Sequence, residues 1–258
     1  MLVGTGVASI LAPALLGQVI AEHGWRAAML VMGGAILAIG LPVSLLMPRE
    51  EVSAGAGDAT SPRKKGKFEA NRSSVFLTLI AFLLGLVVAG LIVLLVPMLI
   101  DGGMDDRGAA NVAAQLGVAI LVTRIIAGYL FDRFHAPYVA AILLLSPVVA
   151  SLILLNGGPV IIAALLLGVA AGPEVDMLAY LTGRYVQMEN YGASYGTILG
   201  LFCLGAAIGP MLFGWTVDMT GDYGLILTIS TGVLLLVVFG IAVLGPYQSK
   251  EIGVAKTL

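Results

Sequence analysis

Three ionisable side chains lie deep inside long apolar runs of this 258-residue chain: Arg124, Glu174 and Asp176. At bilayer depth such a group costs about 2.5 kcal/mol or more, so its default reading is functional. Arginine stays charged and presents a planar fork that matches a carboxylate bidentately. In a membrane cavity it would attract a small organic anion and fix its orientation. Burial disfavours the charged form of a carboxylate, whereas a neighbouring arginine favours it. A proton carrier needs that balance to change between two states, and Glu174 and Asp176 are the candidates. They are two residues apart, so on a helix they point about 200° from each other. One can face a cavity while the other meets a neighbouring helix. Structural alternatives stay open. Arg124 can serve only to neutralise Glu174 or Asp176, and Asp176 can be an acid bonded to Tyr180 or Arg184 further along its face.

These groups need carriers at a defined depth. Hydrophobic residues make up 59% of the chain and charged residues 11%, with mean hydropathy +1.04. Soluble domains carry about 25% charged residues, and apolar runs of about 20 residues mark membrane spans. The pattern predicts an all-α polytopic membrane protein with eight helices, at 2–20, 26–47, 74–100, 108–131, 138–155, 159–183, 191–215 and 223–245. Gly24, Pro48, Gly102 and Gly221 supply stop signals. The runs are continuous rather than alternating, which argues against a barrel. On this frame Arg124 stands about 24 Å from the outer face, at 1.5 Å per residue. Glu174 and Asp176 reach a similar depth. Trp25 and Trp215 fall at span ends, where interface anchors belong, and His23 and His135 fall in loops.

Lys and Arg set the direction. Arg49, Arg63, Lys64, Lys65, Lys67, Arg72, Arg133, Arg184, Lys250 and Lys256 fall on one face, against Arg26 and Arg107 on the other. The basic face is expected in the cytoplasm of the cell membrane, with both termini there. Residues 49–73 read as a basic linker whose Ser, Gly and Pro content suggests mobility. It separates two helices (1–48) from six (74–247), which a short cytoplasmic tail (248–258) follows. The N-terminus has no basic lead-in and reads as the middle of a helix rather than a signal peptide.

Several functions are argued against. Cys203 is the single cysteine, so there is no disulfide frame and no thiolate metal site. No HExxH, Gly-x-Ser-x-Gly or phosphate loop occurs, and neither histidine lies in a span. The expectation is a protein that is not an enzyme, with no cofactor and no metal. Its partners would be the lipid bilayer, a small anion and protons, with no nucleic acid.

A repeat gives the organisation. Ala12-Pro13-x-x-x-Gly17 with Gly24 returns 197 positions later as Gly209-Pro210-x-x-x-Gly214 with Gly221. A basic loop followed by six helices, together with this repeat, resembles the C-terminal part of a major facilitator superfamily transporter, whose two six-helix halves are parallel repeats. The resemblance makes the first two helices the family's fifth and sixth, and the rest its seventh to twelfth. Four helices would then precede Met1, and the chain as written is expected not to transport alone. Gly128-Tyr-Leu-Phe-Asp132-Arg133 resembles the start of the family's loop motif between helices eight and nine. That implies a gating role for Gly128, Asp132 and Arg133, with Asp132 capping the helix that starts near Tyr191.

Gly172-Pro173-Glu174-x-Asp176-x-x-x-Tyr180-x-x-x-Arg184-Tyr185, followed by Tyr191-Gly192-x-x-Tyr195-Gly196, resembles helices ten and eleven of the monocarboxylate and oxalate/formate branch. Arg124 falls where that branch carries an anion-binding arginine. Ile120 replaces the aspartate that some relatives have one turn earlier, and no lysine lies between Tyr191 and Trp215. A monocarboxylate is therefore expected rather than a dicarboxylate. The resemblance implies alternating access with symport or antiport. Arg124 and Tyr180 would bind substrate, with Asn111 and Gln115 read as lining the arginine's face. Pro173 would act as a hinge, since it leaves the Val169 carbonyl without its helical donor. The alternatives are a porter for a sugar acid or drug, and a fragment that does not transport.

Overall fold

The computed structural model describes residues 3–46 and 67–244, with side chains described for only part of the first 46. Two compact units divide the chain, residues 1–65 and 66–258. Every regular element among the described residues is helical, as the composition predicts. Among the described residues seven segments are long and apolar enough to cross a membrane.

The first unit carries α1 (Val3–Leu46), two helices merged across a kink at Gly24. Gly24 has φ 78°, a region that suits glycine because it has no Cβ. The segment from Arg26 to Val43 is apolar enough to span. The predicted first span is helical from Val3, but most of its side chains, including that of Pro13, lie outside the described residues. So do residues 47–66, which include most of the linker, and residues 245–258, which include the tail.

The second unit holds α2 (Arg72–Asp101), α3 (Asp106–Arg133), α4 (Ala136–Leu155), α5 (Val160–Ala171), α6 (Glu174–Tyr185), α7 (Tyr191–Thr220) and α8 (Gly224–Ala242). Local chemistry sets the ends. Asn71 caps α2 by accepting the Ser74 amide on its Oδ1 at 2.7 Å. Asp106 in the first turn of α3 and Arg133 in its last complement the helix dipole. Pro137 occupies the first turn of α4, where its missing N–H costs nothing. Gly221 closes α7 in a left-handed conformation (φ 68°), its N–H donating to the Val217 carbonyl at 2.7 Å. Both glycines that end the sequence repeat, Gly24 and Gly221, thus carry positive φ.

Helix α7 runs to Thr220, so Trp215 stands inside the helix rather than at its end. The 159–183 span is also different from its simple reading. It is two helices, α5 and α6, that meet at Gly172-Pro173 and together make one span, Val160–Tyr185. Proline cannot donate to the preceding turn, and this breaks the ladder there.

Packing follows small residues. Helix α2 lies along α7, α3 along α5, and α4 between α5 and α8. A Cβ added at Gly85, Gly205 or Gly209 would collide with the carbonyls of Phe202, Phe82 and Leu86, so α2 and α7 touch backbone to backbone. Leu84, Leu144, Leu167, Leu181, Ile198 and Leu234 are buried in the common core. At the end of α2, the Tyr223 hydroxyl donates to Asp101 Oδ2 at 2.5 Å and ties α2 to the start of α8.

Candidate functional site

Arg124 and Asp176 meet. Arg124 Nε donates to Asp176 Oδ2 at 3.0 Å, with 22% and 28% of the two side chains exposed. Each stands nine residues before the end of its helix, Arg133 on α3 and Tyr185 on α6. The level match follows from glycine. Gly168 and Gly172 let α5 settle on α3 so closely that a methyl group at Gly172 would lie 2.6 Å from the Ile120 carbonyl oxygen and 3.3 Å from the Arg124 amide nitrogen. The break at Pro173 follows at once, and the first turn of α6 then presents both acids.

Those acids diverge, as their spacing requires. Asp176 takes the arginine, whereas Glu174 Oε2 is buried and has no hydrogen-bond partner among the described residues. A buried carboxylate oxygen without a partner is uncommon, because it gives up water for nothing in return.

The other sequence candidates separate. Tyr180 is engaged elsewhere: its hydroxyl accepts from Arg184 Nη2 at 2.7 Å, and its ring stacks on Phe131 with centroids 5.7 Å apart. The bonding of Asp176 to Tyr180 or Arg184 is therefore replaced by the bridge to Arg124. Helix α3 is continuous from Asp106 to Arg133. Gln115, nine residues before Arg124, is then about two and a half turns away, on the opposite face, and Asn111 is rotated by about 140°. The reading that these two line the arginine's face does not survive helix geometry.

Gly128, Asp132 and Arg133 are exposed. Helix α7 begins at Tyr191, its N-cap residue Asn190 makes no side-chain cap bond, and among the described residues no hydrogen bond joins Asp132 to it. The start of α7 is held instead by residues 67–71. There the Lys67 and Glu69 amides donate to Asn190 Oδ1 and Ser194 Oγ, both at 3.1 Å. Glu69 Oε2 in turn accepts the Gln187 amide at 3.0 Å. Sequence reasoning missed this tie, since nothing in the polar segment marks which of its residues fold back. Among the described residues no group of His, Cys, Asp and Glu is arranged to hold a metal ion.

The family profile described as Major Facilitator Superfamily matches residues 1–210, well over half of the chain. The chain belongs to the major facilitator superfamily. Within this superfamily it is similar to monocarboxylate transporter 11 of Mus musculus, with 27% identity over 86% of this chain and 53% of the relative. It is similar also to monocarboxylate transporter 12-B of Danio rerio, with 26% identity over 96% of this chain and 61% of the relative. The chain spans about half the length of the curated relatives it matches. Its fold is that of the E. coli fucose:proton symporter FucP, with a TM-score of 0.70 over 89% of this chain and 58% of that one, at 18% identity. Superfamily membership and the seven apolar helices make this a multi-pass membrane chain.

Proposed function

We propose that this chain handles the substrate of a secondary transporter for a small organic anion of the monocarboxylate class. The observation that carries the reading is the Arg124–Asp176 pair, a 3.0 Å ion pair inside two apolar spans that stays partly exposed. Such a pair can exchange partners. An entering carboxylate competes with Asp176 for the guanidinium through charge-assisted hydrogen bonds. Protonation of Asp176 removes the competitor, so proton uptake and anion binding favour each other. Glu174, with its unpartnered Oε2, is the second proton site. The break at Gly172-Pro173 lets α6 re-aim both acids against α5 during alternating access. With no lysine between Tyr191 and Trp215 to hold a second carboxylate, one carboxylate per substrate is favoured. The names of the relatives agree with this class. The basic ends of the helices, together with residues 67–71, face the cytoplasm of the cell membrane.

Equilibrium binding of radiolabelled propanoate and succinate to the purified chain in lipid nanodiscs tests the reading. The expected result is saturable propanoate binding, competed by other monocarboxylates and by neither fucose nor a neutral drug. Asp176→Asn should bind propanoate more tightly at neutral pH, with only the weaker pH dependence that Glu174 supplies. Propanoate binding by Arg124→Gln at the wild-type level would sink the site assignment.

A further inference from the structure

The tyrosines of Tyr191-Gly192-x-x-Tyr195-Gly196 have no part in the site so far. Their placement follows from register. Helices α6 and α7 are joined by a short turn and pack against each other. The Tyr191 hydroxyl donates to the Ala179 carbonyl at 3.4 Å, and a Cβ built on Gly183 would lie 3.6 Å from the Tyr191 ring. Tyr191 therefore lies along α6 between residues 179 and 183. One turn further along α7 corresponds to one turn back along α6, which brings Tyr195 level with Asp176. The two tyrosine rings stack almost parallel, with centroids 5.7 Å apart and planes 9° apart. Among the described residues the Tyr195 hydroxyl makes no hydrogen bond, whereas that of Tyr191 is engaged. The bonds from Lys67 to Asn190 and from Glu69 to Ser194 flank this first turn of α7 and hold it in register.

We propose that Tyr195 is a further substrate-contacting residue, donating its hydroxyl to the anion at the Arg124–Asp176 centre while its ring closes the site on the side of the α6–α7 turn. The proposal rests on the anion-site reading given above. A guanidinium on α3 and a phenol on α7, both level with Asp176, make a two-point clamp for one carboxylate. The phenol adds an uncharged donor, so it strengthens anion binding without changing the charge balance between Arg124 and its acids.

Propanoate binding to the full chain in nanodiscs separates this proposal from the reading beneath it. Tyr195→Phe keeps the stack and removes only the hydroxyl. The expected result is a Kd raised roughly tenfold to a hundredfold, the size of one hydrogen bond to a charged group. A second readout replaces Tyr195 with 3-fluorotyrosine, whose fluorine resonance should shift as propanoate is added. If Tyr195→Phe binds as the wild type does and the fluorine signal stays still, Tyr195 is not a contact, while loss of binding in Arg124→Gln keeps the anion site intact. If Arg124→Gln binds as the wild type does, the anion site itself fails and this inference goes with it.

Discussion

Two seams in the second unit use the same device and end differently. Along α2 and α7, Gly85, Gly205 and Gly209 bring backbones together at successive levels, and α7 continues through Pro210 to Thr220. Along α3 and α5, Gly168 and Gly172 do the same, but the helix stops at Pro173 and restarts as α6 with two acids in its first turn. The neighbours explain the contrast. At Gly85, Gly205 and Gly209 the first seam meets Phe82, Leu86 and Phe202, so close packing is all it has to supply there. The second places a backbone contact beside Arg124 and spends the helix break on aiming carboxylates at it. In a lipid solvent close packing is the main source of helix association. One seam can therefore be a strut while the other carries the ionisable groups.

That contrast can be broken most severely at the ion pair. Arg124→Gln leaves Asp176 in the span without its partner. Unpairing a buried charge costs about 3–5 kcal/mol, and the partial exposure here places the expected loss near the low end. Thermal unfolding in detergent should show it. Adding Asp176→Asn should recover most of the stability and none of the propanoate binding. Recovery of both would make the pair purely structural.

Next in size is the strut. Gly209→Ala pushes a methyl group into the Leu86 carbonyl, and overpacking costs about 1–3 kcal/mol. Tm should fall, while the folded fraction still binds propanoate with wild-type affinity. Gly172→Ala should lower Tm similarly but also weaken binding, because its new methyl group meets the backbone beside Arg124. Equal effects on binding from the two substitutions would erase the distinction between the seams.

Pro173→Ala restores the amide that could join α5 to α6. The expected outcome is an unchanged or higher Tm with binding weakened roughly tenfold, about 1.4 kcal/mol, since a straight helix re-aims Glu174 and Asp176. Weaker folding with intact binding would show that the break is a packing kink.

The smallest effect belongs to the lock at the far end of α2. Burial first, and then the hydrogen bond to Asp101, push the Tyr223 hydroxyl up to about 12. A tyrosine whose folded value is raised contributes stability that is complete below its unfolded value of about 10. That stability is lost as pH rises toward 12. Tm measured across this alkaline window should fall more steeply for the wild type than for Tyr223→Phe. Parallel curves would remove Tyr223 from the account.

Much of this architecture was readable from residue order. Apolar runs gave the spans, and α2 to α4 begin and end within about two residues of their predicted limits. Gly221 was readable as a stop because only a residue without a Cβ sits easily at φ 68°. The matching level of Arg124 and Asp176 along their helices was readable too, because rise per residue converts counting into height. The rotation of Asn111 and Gln115 was equally available from the helical period, and it argues against placing them with Arg124.

What the sequence determined by itself is local: helix, level along each helix and the divergence of Glu174 from Asp176 all follow from short-range periodicity and composition. Only the tertiary structure decided partners. Arg124 had three acids or substrates to choose among on paper, and it took Asp176 because Gly168 and Gly172 set the distance between α3 and α5. Tyr180 was drawn to Arg184 and Phe131, Tyr195 was brought level with Asp176, and Glu69 reached across to Gln187 and Ser194. These outcomes depend on contacts more than a hundred residues apart in the case of Glu69, and no local pattern encodes which of several polar groups a packed helix will meet.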